Sequence, residues 1–232
     1  MRVLITRPHE DAKRLALTLA KQDIDVVSAP LLDIVFSDAE SLDLEGVQAI
    51  LFTSVNGVRA FVQNVTDRSK PVLCVGDATA REASFENFSN VKSAKGDVKS
   101  LAQLVKDELD PTRGALLHPA GTHVAGALGL DVEQSGFVYR RDVLYTAHKA
   151  ETLPKAACSA LKENGVDGVL FYSPRTAAAF LKLVKQADLD HTLSSVTAYC
   201  LSSAVADVIA QLRWAEIKIA PEPTQDALLA LL

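Results

Sequence analysis

From Gln48 to the C-terminus, short apolar runs alternate with stretches of helical periodicity. The spacing predicts strand 48–52, helix 56–65, strand 71–75, helix 78–86, strand 91–93 and helix 98–109. Asp110-Pro111-Thr112-Arg113-Gly114 breaks the rhythm, which resumes with a strand at 115–118, a helix near 122–135 and a strand at 137–139. It continues as helix 152–164, strand 167–172, helix 175–187, strand 195–201, helix 203–212, strand 216–219 and helix 224–232. Strands joined by helices instead of tight turns form parallel βαβ units, in sheets covered on both faces. The N-terminal part fits the same scheme: strand Val3–Thr6, a helix with Ala12, Leu15 and Leu19 on one face, and strand Asp25–Ala29. The expected fold class is α/β.

Two stretches stand outside this alternation. Pro30 to Phe36 and Arg140 to Ala147 are extended and partly alternating, and each follows the second strand of its half. They are expected to pair as a two-stranded link between domains. The halves also match residue by residue. Leu51-Phe52-Thr53-Ser54 through Val65 aligns without gaps on Leu170-Phe171-Tyr172-Ser173 through Val184, with six identities in fifteen positions. Cys74 to Ala80 overlays Cys200 to Ala206. Internal duplication accounts for both matches, and 232 residues suffice for two domains with their own cores.

Composition narrows the function. The net charge is −5 and no cluster of Lys and Arg occurs, which weighs against nucleic acid, whose phosphates call for a basic stripe. No apolar run reaches the ~18 residues of a membrane span, and the N-terminal apolar stretch is too short for a signal peptide, so a cytosolic protein away from membranes is expected. Cys74, Cys158 and Cys200 are few, odd in number and set among apolar residues, so they read as core thiols.

Chemistry in a parallel α/β sheet sits beyond the carboxyl ends of its strands, where helix N-termini expose free N–H groups. The segments expected there are Thr6-Arg7-Pro8, Thr53 to Gly57, Gly76 to Thr79, His118 to Gly121, Ser173 to Thr176 and Ser202-Ser203. Each is explicable as helix capping, because Ser, Thr, Asn and Asp are preferred N-caps and Pro favours the first turn. Together the six would line a cleft suited to several carboxylates or phosphates. Neither the G-x-G-x-x-G pattern, the P-loop nor the G-x-S-x-G elbow is present. His9, His118, His123, His148 and His191 lack zinc spacing and read as capping or hydrogen-bonding residues. Tyr139, at the entry to the second extended stretch, can donate a hydrogen bond into the cleft or pack its ring at the junction.

In order along the chain, Leu4-Ile5-Thr6-Arg7-Pro8, Phe52-Thr53-Ser54-Val55-Asn56-Gly57-Val58, Val75 to Ala80, Leu117-His118-Pro119-Ala120-Gly121, Val138-Tyr139-Arg140-Arg141, Phe171 to Thr176 and Pro223-Thr224 resemble uroporphyrinogen-III synthases of the tetrapyrrole (porphyrin and heme) pathway. That resemblance implies two flavodoxin-like domains joined by a two-stranded β-ladder formed by about 30–37 and 140–147. One domain is discontinuous (1–34 plus 148–232), and the other spans 38–140. It implies cofactor-independent, metal-free cyclisation of hydroxymethylbilane to uroporphyrinogen III in the interdomain cleft, inverting the last pyrrole ring and releasing water. A monomer is expected, with the linear tetrapyrrole as its small-molecule partner and a transient contact with hydroxymethylbilane synthase.

Carried over by position, Tyr139 is the candidate catalytic residue, assisting departure of the hydroxyl. The candidate substrate-binding residues are Arg7, Ser54, Asn56, Gly76, Thr79, Pro119, Ala120, Gly121, Ser173, Arg175, Ser202 and Ser203. Ser202-Ser203-Ala204-Val205-Ala206 departs from the family's Gly-x-Thr-Thr-Ala, and both threonines are gone. Two other readings stay open: a two-lobed clamp that binds a small anion, and a regulatory protein that keeps the fold without activity.

Overall fold

The structure, a computed structural model, describes residues 1–37, 42–124 and 126–232. The chain forms two compact units, residues 1–33 with 148–232 and residues 34–147. The expected start of the second domain, residue 38, lies outside the described residues.

The first unit begins with β1 (Arg2–Ile5), α1 (His9–Ala20) and β2 (Asp25–Ser28). After β3 (Leu32–Phe36), the second unit follows as β4 (Val47–Phe52), α2 (Val55–Asn64), β5 (Val72–Cys74), α3 (Asp77–Phe85), β6 (Val91–Ser93), α4 (Val98–Glu108), β7 (Ala115–Gly121) and α5 (Leu128–Glu133). From β8 (Tyr139–Lys149) the chain returns to the first unit with α6 (Lys155–Lys162), β9 (Gly168–Phe171), α7 (Pro174–Gln186), β10 (Thr197–Cys200), α8 (Ser203–Ile209), β11 (Glu216–Ile219) and α9 (Gln225–Leu229).

The first unit's sheet has the order β11-β10-β9-β1-β2, all parallel. Renumbered along the chain this is 2-1-3-4-5, the flavodoxin-like order. The second sheet runs β3-β8-β7-β4-β5-β6. Taking β7 and β8 as its first two strands and β4, β5 and β6 as the rest gives 2-1-3-4-5 again, with β3 added at the edge. The strands matched in sequence, β4 with β9 and β5 with β10, thus hold the same places in their sheets.

Both faces of each sheet are covered, which is why the central strands are apolar throughout. In β4, Ile50 and Phe52 enter one cluster while Ala49 and Leu51 enter another. In β9, Val169 and Phe171 face one way and Leu170 the other. The internal match has a packing basis. Phe52 meets Phe61 edge-on with centroids 5.8 Å apart, and Phe171 meets Phe180 likewise at 5.2 Å. Full burial of one such ring is worth about 1.5–3 kcal/mol. Side chains start several helices: Ser54 accepts from Gly57 N, Asp97 from Ser100 N, Ser173 from Thr176 N and Thr224 from Ala227 N.

Two expectations are corrected. The strand expected at 115–118 extends to Gly121, and the helix expected near 122–135 is confined to Leu128–Glu133. The expected strand 137–139 and the extended stretch after it form one strand, β8, parallel to β7 from Leu116↔Tyr139 to Gly121↔Tyr145. Pairing with this long neighbour holds His118, Pro119, Ala120 and Gly121 in the ladder, so they are not a loop. Pro119 fits because the β4 pairing ends at Ile50↔Leu117, which leaves no ladder bond on that side for the missing N–H to make. Gly121 lies under the Tyr145 ring, where an added Cβ would come within 2.7 Å of a ring carbon. The two extended stretches do lie side by side, as antiparallel β3 and β8. Ser37 N donates to Leu144 O at 2.8 Å and Ala150 N to Leu31 O at 3.0 Å. Up to Tyr145 β8 is paired with β7 as well, so β3 and β8 form one edge of the six-stranded sheet.

Candidate active site

In the first unit, Arg7 follows β1 after Thr6 and is held on three sides. It donates to Gln225 Oε1 at 3.0 Å, pairs with Asp11 at 3.1 Å, and places its guanidinium 4.4 Å from the centroid of the Tyr172 ring. The Tyr172 hydroxyl is buried, and despite the nearby guanidinium it has no hydrogen bond of sound geometry among the described residues. Burial pushes it up to about 12 against the opposing pull of Arg7. Ser173 caps α7 and also meets Thr176 Oγ1 at 2.9 Å, while Arg175 is exposed on the first turn of the same helix. Ser202 precedes α8 without making a side-chain cap, and Ser203 is exposed in its first turn.

In the second unit, Ser54 accepts from Gly57 N at 3.0 Å, and its Oγ lies 2.8 Å from the Tyr145 hydroxyl. Asn56 is half-buried on the first turn of α2. Gly57 lets that turn approach β7, since a Cβ there would lie 2.7 Å from the Pro119 carbonyl oxygen. Gly76 precedes α3 in extended backbone, and Thr79 is buried in that helix with 4% exposure. Pro119, Ala120 and Gly121 are buried strand residues, and Arg141 donates to the carbonyls of Gly121 and Thr122 at 2.6 and 3.0 Å.

Tyr139 belongs to a chain of three side chains centred on the buried His118, with Tyr139 and Thr53 half-buried at its ends. Its hydroxyl is 2.5 Å from His118 Nδ1, and His118 Nε2 is 2.9 Å from Thr53 Oγ1. Burial, reinforced by the Arg141 guanidinium, pushes His118 down to about 4. Burial pushes Tyr139 up to about 12, with Arg141 opposing and Glu133 adding to the rise. At neutral pH the imidazole is therefore uncharged and the phenol protonated. Beside them opens a cavity of about 310 Å³, whose lining includes His118, Leu128, Gly129, Glu133, Tyr139 and Arg141. The Tyr139 ring crosses Gly129, where a Cβ would lie 2.8 Å from it.

Nothing in the local sequence around His118 and Thr53 marks them as partners of Tyr139. Leu116 is opposite Tyr139 in the ladder, and His118, two residues on, shares Leu116's face. That proximity becomes legible only once β7 and β8 are known to be neighbours.

Burial pushes the Cys74 and Cys200 thiols up to about 12, which leaves them protonated and unreactive. Asp188, Asp190 and His191 approach within 4.8 Å of one another just after α7. They lie at the end of the sheet where strands begin, opposite the strand ends that carry the other polar groups, and exposed acidic residues commonly cluster without an ion.

Parallel α/β units bind small molecules beyond the carboxyl ends of their strands. Beyond those ends lie Arg7, Ser54, Gly76, Ser173 and Ser202 with the helix starts that follow them, which defines an α/β protein of the kind that handles small polar molecules. Residues 13–230 match the family of uroporphyrinogen-III synthase HemD, and the chain belongs to that family. A curated protein from Methanocaldococcus jannaschii, named as a candidate uroporphyrinogen-III synthase, is 31% identical over 87 residues. The match covers 35% of this chain and 36% of that protein, so the chain spans about a third of the length of the curated relative it matches. The crystal structure of uroporphyrinogen-III synthetase from Helicobacter pylori superposes with a TM-score of 0.67 at 18% identity, covering 100% of this chain and 98% of that one. A mutant uroporphyrinogen III synthase from Thermus thermophilus superposes with a TM-score of 0.57 at 16% identity, covering 100% and 97%. At these identities the likeness establishes the fold.

Proposed function

We propose that this chain closes hydroxymethylbilane to uroporphyrinogen III, inverting the last pyrrole ring and releasing water. The observation that carries the reading is membership of the synthase family along nearly the whole chain. The chemistry asks more for positioning than for reactive groups. Loss of the terminal hydroxyl leaves an azafulvene cation that closes without further activation, but unguided closure gives the wrong isomer. The protein's task is to hold the rings so that attack falls on the substituted carbon of the last ring, through a spiro intermediate.

Three features support this reading. The starts of α2 and α7 offer backbone N–H groups to acetate and propionate arms. A cavity of about 310 Å³ has room for a pyrrole with its arms, near the lower limit of ligand pockets. Tyr139 on its wall is protonated at neutral pH and suited to assist the departing hydroxyl. The remaining candidates, Arg7, Ser54, Asn56, Gly76, Thr79, Ser173, Arg175, Ser202 and Ser203, are proposed to fix the substrate, with Pro119, Ala120 and Gly121 contributing through backbone shape. The reading includes a cytoplasmic monomer that meets hydroxymethylbilane synthase transiently. Sedimentation of the two proteins, alone and mixed, tests that part. Among the described residues no helix is long and apolar enough to cross a membrane.

Freshly generated hydroxymethylbilane, supplied to the purified protein without cofactor and followed by chromatography of the oxidised uroporphyrins, tests the activity. Predominantly type III product is expected. Type I product at the level of a protein-free control, from folded protein, would move the reading to an anion-binding clamp or an inactive regulator, neither of which the relatives support.

A further inference from the structure

The chain Thr53–His118–Tyr139 has three polar protons and two internal hydrogen bonds. His118 is 1% exposed, and both its ring nitrogens have a partner. A neutral imidazole carries one proton, so one nitrogen donates and the other accepts. The three protons therefore point the same way along the chain, and one of them remains over at an end. Were Tyr139 to donate to Nδ1, Nε2 would donate to Thr53 and the surplus donor would be the Thr53 hydroxyl. Among the described residues that hydroxyl has no acceptor other than His118. In the opposite direction the surplus donor is the Tyr139 hydroxyl, and Tyr139 lines the cavity. Thr53 and Tyr139 are half-buried and His118 is fully buried, and a donor left without an acceptor is the costly defect in such a network. A cavity open to ligand or water is where that defect is relieved.

We propose that His118 is a positioning residue for Tyr139: Thr53 donates to Nε2, Nδ1–H donates to the Tyr139 oxygen, and the Tyr139 proton is turned into the cavity. The proposal rests on the synthase reading and adds to it the orientation that the acid step needs. The C–O bond of the hydroxymethyl group breaks, the Tyr139 proton leaves with the hydroxide as water, and the carbon remains as the azafulvene cation. The Nδ1–H group meets the phenolate at that moment. The proton released when the last ring regains aromaticity after C–C closure restores the phenol.

The test uses the full-length protein. Nitrogen NMR of protein labelled at histidine, at neutral pH without substrate, reads the tautomer directly, and the His118→Asn spectrum identifies the signals. A protonated Nδ1 with a bare Nε2 is expected; a protonated Nε2 overturns the proposal. Initial rates with hydroxymethylbilane provide the second readout. His118→Asn keeps an N–H donor close to Nδ1 and is expected to hold kcat within about threefold of wild type, whereas His118→Leu loses about tenfold with little change in KM. Equal losses in both folded variants overturn the positioning role. If His118→Leu does not fold, the tautomer measurement on wild type still decides. Type III product from wild type with the wrong tautomer overturns this inference alone, whereas type I product at the control level overturns the synthase reading and the role of Tyr139 with it.

Discussion

Acid should unfold the second unit through His118, and the size of the effect follows from its burial. In the unfolded chain this imidazole titrates near 6.5, and in the fold it is pushed down to about 4 by burial and the Arg141 guanidinium. Tyr139, Thr53 and the more distant Glu133 are the other polar groups at this site. A depressed histidine pKa means that the unfolded state binds the proton more tightly. Its contribution is therefore fully present above pH 6.5 and is lost as the pH falls through the window from 6.5 to about 4. At about 1.4 kcal/mol per pH unit, wild type should lose about 2.5 kcal/mol between pH 7.5 and pH 4.5 that His118→Asn does not lose. With a urea dependence of ~1–3 kcal/mol per M, the gap between the two midpoints should change by about 1 M. Cys74 is the one cysteine in the 34–147 unit and is fully buried, so urea-dependent labelling of its thiol follows this unit alone. Trp214, in the other unit, supplies a fluorescence control. Comparing wild type and variant at each pH cancels the chemistry of the labelling reaction. A midpoint gap that stays constant from pH 7.5 to 4.5 would refute the assignment of His118 as a buried neutral base.

Three further outcomes follow from packing and capping. Gly129→Ala forces a Cβ to within 2.8 Å of the Tyr139 ring, whose far end is tied to His118, so a loss of ~1–3 kcal/mol is expected in Cys74 labelling, with reduced turnover. Ser54→Ala removes a side-chain cap and should cost about 1 kcal/mol, whereas Ser202→Ala, at a helix start without such a cap, should stay within ~0.5 kcal/mol in urea titrations. Phe61→Ala and Phe180→Ala should each cost about 3–5 kcal/mol, the first read by Cys74 labelling with Trp214 unchanged. For the second, Trp214 should report directly, because Phe180 stacks on it at 6.0 Å.

How far the sequence carried the fold depends on what each element needs from its neighbours. Helices such as α2 and α7 announce themselves through Ser54 and Ser173 at the caps and apolar residues at helical spacing, all local signals. Central strands such as β4 and β9 are equally plain, because burial on both faces requires unbroken apolar runs. Local signals mislead at residues 118–121. There Pro and Gly, ordinarily loop formers, sit in a strand that is held by pairing to β8. No local pattern can report that partner, since Gly121 is required by the ring of Tyr145, twenty-four residues further along the chain.

The same distinction separates the two kinds of site residue. Arg7, Ser54 and Ser173 were legible because a residue that ends a strand or caps a helix shows its position in its own sequence context. Much of their polarity serves the fold: Ser54 and Ser173 satisfy helix N–H groups, and Arg7 is occupied by Asp11, Gln225 and the Tyr172 ring. Tyr139 was legible from its place at the entry to an extended stretch and, for its role, by resemblance, whereas its partner His118 carries no such local mark. Its chemical weight comes from three things that sequence spacing does not encode: burial to 1% exposure, a neighbouring guanidinium, and two hydrogen-bond partners from different strands and turns. A capping serine replaced by alanine should therefore register mainly in stability. A change at His118 should register in the proton position of Tyr139 as well, and it is that second signature which separates a functional polar residue from a structural one in this fold.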